Sequence, residues 1–374
     1  MKSKLRDLFT EKKIQKSLYH HEILSKYKKN SNKHLYNIIS SPVKNYNEEY
    51  LTILKNIEKQ SKLGKDHILF MNYQKYFCNG LSDNIILPYL DISNLVLTDL
   101  ILLSNPDDCE RITKKHIKKM PNFKPLLYDS IISTTDIKHW KNQRFDLVQA
   151  FSPLELNNVM SISKKRASKC CDLLWKISDK GSKKVNISEF FLNETMAQLQ
   201  LAMFGVSNEF QEETNVKIRE AFGGKGKGYA RKYALQLIEE IQKSNGPLSE
   251  ILNDRKPDTY TEQYGNALIL SFAGHDTTGH TLTWLLFELA KNQSWQRKLQ
   301  REVDKFWISQ KDKKINTRDF KRLPFMTRCI METLRLHTAV PNGTFRELIE
   351  DEMIMGKNGL VKIPKGTYVQ IFNY

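Results

Sequence analysis

Six consecutive residues, Ala273-Gly274-His275-Asp276-Thr277-Thr278, place an acid beside an alcohol inside an otherwise apolar segment. A charge in apolar surroundings is costly unless it is used. An acid–alcohol pair of this kind can deliver protons to a bound oxidant. At about 100° per residue, positions i, i+1, i+4 and i+5 share a helix face, so Ala273, Gly274, Thr277 and Thr278 form one small, hydroxyl-bearing stripe. Small residues let a flat, bulky ligand approach the backbone. Thr277 is placed to bond back to the carbonyl of Ala273, which bends a helix locally. Contact between helices through small residues is the alternative reading of the same stripe. His275 and His280 stand at i, i+5, roughly 140° apart, which does not match the i, i+4 spacing of helical zinc pairs.

Two further sets carry charge chemistry. Glu332 and Arg335 stand at i, i+3 on one predicted helix face, the spacing of an intrahelical ion pair. Leu336-His337, Val340-Pro341, Phe345-Arg346 and Ile363-Pro364-Lys365-Gly366-Thr367 follow in order. Gly223–Gly228 (GGKGKG) looks like a phosphate loop, but no strand precedes it and no Gly-Lys-Ser/Thr ends it, so it reads as a surface loop.

The elements that must hold these residues are mostly helical. Helices are predicted over 105–117, 153–178, 187–204, 261–292, 294–308 and 324–337. Asn105 followed by Pro106 is the cap signal for the first of them. Residues 67–88 read as short strands and turns, the chain from about 94 onward as mainly helical, and the stretch after Pro341 as strands. The fold class is therefore mainly α with small β-sheets. Two segments are expected: a basic N-terminal arm over 1–65 and a folded domain over 66–374.

Composition bounds the rest. The chain has 374 residues, 40% apolar and 27% charged, an ordinary globular balance. The net charge is +17, and residues 1–65 hold 15 Lys/Arg against 6 Asp/Glu. That arm reads as a solvated basic segment. Peripheral contact with an anionic membrane is the next reading, since each Lys near acidic lipid gains roughly 1 kcal/mol. Nucleic acid ranks below both, because no finger, RNA-recognition or zipper signature accompanies the charge. The five cysteines, Cys78, Cys109, Cys170, Cys171 and Cys329, contain no C-x-x-C pair and read as reduced thiols of an intracellular protein. No stretch of about 20 apolar residues offers a membrane span, so a cytoplasmic or peripheral location is expected, with no transmembrane anchor in these residues.

A-G-H-D-T-T, then E-T-L-R-L-H with V-P and an Arg, then I-P-K-G-T, in this order, resembles the cytochrome P450 family. Upstream, Trp140-x-x-x-Arg144 with Ala150-Phe151-Ser152-Pro153 resembles the family's helix that contacts a haem propionate, and Phe204-Gly205 and Leu289–Glu302 fit in register. The likeness covers about residues 67–374, and the A-G-H-D-T-T wording is similar to that of the family's fatty-acid hydroxylases. It implies a haem-dependent monooxygenase that inserts one atom of O2 into an apolar substrate of lipid or fatty-acid type, with electrons from a reductase. It implies catalytic roles for Asp276 and Thr277, and haem contacts for Trp140, Arg144, Ala273, Gly274 and Arg346. Glu332 and Arg335 would be a structural ion pair beneath the haem.

The resemblance also implies an axial Cys thiolate in a glycine- and arginine-containing loop. None of the five cysteines has that context, so no metal ligand is assigned. The expectation is a family fold incomplete at its C-terminus, ending at Tyr374 before that loop, and inactive alone. The alternative is a non-catalytic remnant acting as a binding or interaction protein.

Overall fold

The computed structural model describes scattered positions between 35 and 60, and then residues 66–77, 84–91, 96–206, 227–255, 260–310 and 315–372. Most of the basic arm, Cys78 and the glycines at 223–226 lie outside the described residues. The chain divides into two compact units, residues 1–128 with 132–137 and 340–373, and residues 129–131 with 138–339.

The first unit is built on a sheet. Helix α1 (Asp66–Phe77) precedes strands β1 (Ile85–Asp91) and β2 (Val96–Leu103), and helix α2 (Pro106–Lys115) follows. Strands β3 (Thr344–Glu347), β4 (Glu352–Gly356), β5 (Gly359–Ile363) and β6 (Tyr368–Ile371) return from the far end of the chain. Among the described residues the order is β1-β2-β6-β3, with β4-β5 as a separate hairpin. Antiparallel pairing sets Ile86 opposite Ile101, and parallel pairing sets Leu100 beside Tyr368.

Both faces of β1 and β2 are covered. Ile86, Ile101 and Leu103 join Ile112 of α2, Ile354, Ile363 and Val369 on one side. Ile85, Leu87, Leu100 and Leu102 pack with Phe70 of α1 and Met120 on the other. A strand buried on both faces reads as a continuous apolar run rather than an alternation. That is why 96–103, expected to be helical, is a strand. The reverse correction holds for HILFMNY, read from sequence as strand. It lies in α1, where Phe70 and Tyr73 at i, i+3 present a helical stripe to the sheet.

The second unit is helical: α3 (Ile137–Leu147), α4 (Pro153–Ile177), α5 (Ile187–Leu199), α6 (Lys227–Gln242), α7 (Pro247–Asp254), α8 (Tyr260–Lys291), α9 (Gln293–Ser309) and α10 (Pro324–Leu336). The caps follow the sequence. Asn105 Oδ1 accepts from the main-chain N–H of Asp107 and Asp108, each at 3.1 Å, and Ser152 Oγ accepts from that of Glu155. The helix expected to run to 204 leaves the α form at Leu199, and residues 200–204 close as one π-helical segment. Gly205 ends it at φ +69°, and any side chain there would strike the backbone of Gly246 at 2.8 Å.

α8 is the axis of this unit, packing on α5, α6, α9 and α10. No helix among the described residues is long and apolar enough to cross a membrane.

Candidate functional site

α8 presents two different sides at residues 273–279. On the open side Ala273 and Thr278 are exposed, and Asp276, Thr277 and His280 are half-buried. Thr277 Oγ1 donates to the carbonyl of Ala273 at 2.8 Å, the back-bond expected of an alcohol at this position. The carboxylate of Asp276 lies one residue along, with His280 Nε2 3.6 Å from its Oδ1. An acid, an alcohol and a small residue thus stand together on one accessible patch.

The closed side carries the helix contact. His275 is 1% exposed, and its Nδ1 donates to the carbonyl of Ser271 at 2.8 Å. Thr195 of α5 donates to the carbonyl of His275 at 2.9 Å. A side-chain carbon on Gly274 would meet Leu199 at 2.8 Å, and one on Gly279 would meet Leu192 at 2.9 Å. Of the stripe expected from helical spacing, Ala273, Thr277 and Thr278 look outward, while Gly274 is turned towards α5. The helix-contact reading of the small residues is realised at Gly274, which meets Leu199 of α5, while Ala273 and Thr278 are exposed.

Trp140 and Arg144 stand together on α3, the guanidinium 5.8 Å from the indole centroid. Trp140 is half-buried and Arg144 exposed. Arg346 belongs to the other unit, on β3. Its Nη1 donates to Thr344 Oγ1 and to the carbonyl of Phe345, but its buried Nε finds no partner. Burial pushes its pKa down. A half-buried guanidinium with no carboxylate among the described residues is under-compensated, and its planar fork suits a carboxylate.

The guanidinium of Arg144 in one unit and that of Arg346 in the other each suit a carboxylate. Burial, with help from Asp108, raises the Cys109 thiol to about 11, and burial with Glu194 raises Cys170 to about 11. Burial also raises Cys329. No group of three or more His, Cys, Asp or Glu placed to hold a metal ion occurs among the described residues.

Glu332 and Arg335 form a bidentate pair on α10, at 2.6 and 2.8 Å. Hydrogen bonding to Arg335 lowers the Glu332 carboxyl, and the reciprocal bond raises Arg335. The two side chains are 54% and 65% exposed. They stand on the rim of an open groove of about 1040 Å³ lined by Leu285, Leu289, Trp295, Phe325, Met331 and Leu336.

Two anchors escaped the sequence reading. The carboxylate of Glu302 on α9 accepts from the main-chain N–H of Phe325 and Met326 at 2.8 and 2.9 Å, capping α10 from another helix. His337 stacks on Trp284 at 4.0 Å and 4°, with its Nε2 2.9 Å from Glu288 Oε1. The missing cap acid after Leu323-Pro324 was the available signal for the first. Nothing local announces the second.

A model of the cytochrome P450 family matches residues 237–374. Human cytochrome P450 4F8 is 25% identical over 335 residues, covering 74% of this chain and 63% of its own length. Iridoid oxidase from Catharanthus roseus is 36% identical over 115 residues, 30% of this chain and 21% of that protein. The chain thus spans less than two thirds of the length of these curated relatives. Among solved structures, retinoic acid-bound cyanobacterial CYP120A1 aligns with a TM-score of 0.62 at 19% identity, over 81% of this chain and 71% of the other. The fold is the one that structure shares.

Proposed function

The chain belongs to the cytochrome P450 family, and from that premise we propose that it serves a haem-dependent monooxygenase reaction on an apolar substrate of lipid or fatty-acid type. The observation that carries this reading is the acid–alcohol patch of Ala273, Asp276 and Thr277 on the open side of α8. The A-G-H-D-T-T wording supports the lipid assignment.

When bound, haem supplies the iron on which O2 is activated. Trp140, Arg144 and Arg346 would hold its carboxylates, Arg346 with the Nε that has no protein partner. The protein's part in the chemistry lies on α8. The carboxyl of Asp276 is open enough to exchange protons with water and near enough to His280 to be oriented by it. Thr277 commits its own hydroxyl proton to the Ala273 carbonyl, which leaves the oxygen lone pairs facing outward as an acceptor. That oxygen can accept a hydrogen bond from a group bound on the open side, and the small Ala273 keeps the approach clear. Electrons would come from a reductase, and the lysine-rich surface suits an acidic flavoprotein.

The test is a haem titration of the full chain followed by its absorption spectrum. The wild type is expected to bind haem, and Arg346→Leu and Arg144→Leu to bind it at least about tenfold more weakly, the worth of one charge-assisted bond. A wild-type chain that takes up no haem, or variants that match it, would overturn the reading.

A further inference from the structure

One face of α3 is fastened to the rest of its unit by polar side chains. His139, Gln143 and Asp146 stand at i, i+4 and i+7. The Nε2 of His139 lies 2.6 Å from Oε2 of Glu262 on α8 and 2.9 Å from the Gln143 amide nitrogen. The other oxygen of Glu262 accepts from Arg255 Nε at 2.6 Å, and Arg255 also pairs with Asp146. Gln143 is fully buried. Its amide donates to the carbonyl of Asp129 at 2.8 Å and accepts from Asn266 Nδ2 at 3.0 Å. Asn266, also on α8, in turn accepts from the main-chain N–H of Ile131 at 2.8 Å.

His139 Nε2 spends its proton on Glu262, so the Gln143 amide is anchored by Asp129 and Asn266 and only adjoins the imidazole. Glu262 is 1% exposed, yet both oxygens are bound to cationic or N–H donors. Buried polar networks satisfied in this way fix one geometry, and half-satisfied ones do not persist. The network begins at the first turn of α8. Asp276 lies 14 residues further along the same helix, about 21 Å at 1.5 Å per residue. Trp140 and Arg144 sit one position beyond His139 and Gln143, about 100° round α3.

We propose that His139, Gln143 and Glu262 are positioning residues that index Trp140 and Arg144 to the helix that carries Asp276 and Thr277. The claim rests on the haem reading above for its purpose, but not for its geometry. α8 acts as a common ruler: it bears the acid–alcohol patch directly and holds the cofactor-facing pair of α3 by three side chains. None of these three residues touches the reacting atoms.

The experiment uses the haem-free full chain with 5-fluorotryptophan at its five tryptophans, read by fluorine NMR. Trp140→Phe identifies the Trp140 line. In His139→Leu that line is expected to shift and broaden at least twofold, while the lines of Trp284, Trp295 and Trp307 hold. His139→Gln keeps an N–H at the Nε2 position and is expected to restore it. Glu262→Gln keeps the shape of the clasp without its charge, and is expected to disturb the same line alone. An unmoved Trp140 line in both His139→Leu and Glu262→Gln overturns the proposal. So does a collapse of all five lines in both variants, which would mark a fold-wide role. Because no haem is present, a chain that fails to bind haem leaves this result standing, and an unmoved line leaves the haem reading standing.

Discussion

The hydroxyl of Thr195 reaches the main-chain carbonyl of His275 across the α5–α8 contact, on the side of the helix opposite the Thr277 back-bond. The same oxygen lies 2.8 Å from the carbonyl of Phe191, its own helix. One proton serves both. The approach is close because Gly279 sits beside it: a side-chain carbon there would meet Leu192 Cα and Thr195 Oγ1, each at 3.1 Å. Glycine to alanine in a helix ordinarily gains up to about 1 kcal/mol. Here the sign should reverse. Gly279→Ala is expected to lose about 1–3 kcal/mol, because a backbone atom has to give way. Gly274→Ala meets only the branched end of Leu199, which can rotate, and should cost less. Thermal melts of the two variants decide it, and a Gly279→Ala that melts above wild type refutes the close-contact account.

The first unit should answer to acid through Glu352. Burial alone would raise this carboxyl, but His116, Lys115 and the main-chain N–H of Met353 hold it down at about 2. The Ile349 N–H donates to His116 Nδ1, so the ring proton sits on Nε2, facing Glu352 at 2.9 Å. A carboxyl whose folded pKa lies below its unfolded value near 4.5 stabilises the fold above pH 4.5. That contribution fades as pH falls towards 2. Roughly 2 kcal/mol is at stake, taking about 1.4 per unit and discounting the exposed Lys115. Glu352→Gln is expected to melt lower than wild type at pH 7, and to converge with it near pH 2–3. Parallel melting curves across that range would contradict the linkage.

Arg346 should trade stability for binding. Its guanidinium is half-buried and has no acidic partner among the described residues, so replacing it with an apolar side chain of similar length relieves a cost. Arg346→Met is expected to raise the melting temperature of the haem-free chain by a few degrees, on the order of 1 kcal/mol. The same variant should lose the stabilisation that added haem gives the wild type. A variant less stable than wild type without haem would show that the arginine has an internal partner after all.

The cysteines should divide by burial. With pKa values near 11, Cys109 and Cys170 are thiolates to only about one part in a thousand at pH 8. Cys171, the next residue along α4, is exposed. Iodoacetamide at pH 8 followed by peptide mass mapping should label Cys171 well before either of the others. Equal labelling of the adjacent pair 170 and 171 would mean that α4 does not hold the orientation described.

Much of the helical unit was legible because its signals are local. Asn105 and Ser152 name their helix starts, and α8, α9 and α10 fall within a residue or so of their expected ends. The sheet was harder, because its signals are not local. Ile85–Leu87 reads as strand and is one, but Leu100–Leu103 has no alternation to detect, being buried on both faces by Phe70, Met120 and Ile112 together with partners from beyond residue 340. Motif order assembled Asp276 with Thr277 and Glu332 with Arg335, since each pair sits on one helix. It could not show that Gly274 turns towards α5, nor that His139 and Glu262 meet. Those relations depend on which helix lies against which.

The two units therefore complete themselves at different times as the chain is made. Thr195 and His275 are 80 positions apart, so the contact that shapes the back of the acid–alcohol patch can close while synthesis continues. The parallel pairing of Leu100 with Tyr368 has to wait until residue 368 is made, and among the described strands β3, which carries Arg346, joins the sheet through β6. Long-range parallel pairing is intrinsically slow. The helix that carries Asp276 and Thr277 is thus made before the strand that carries Arg346.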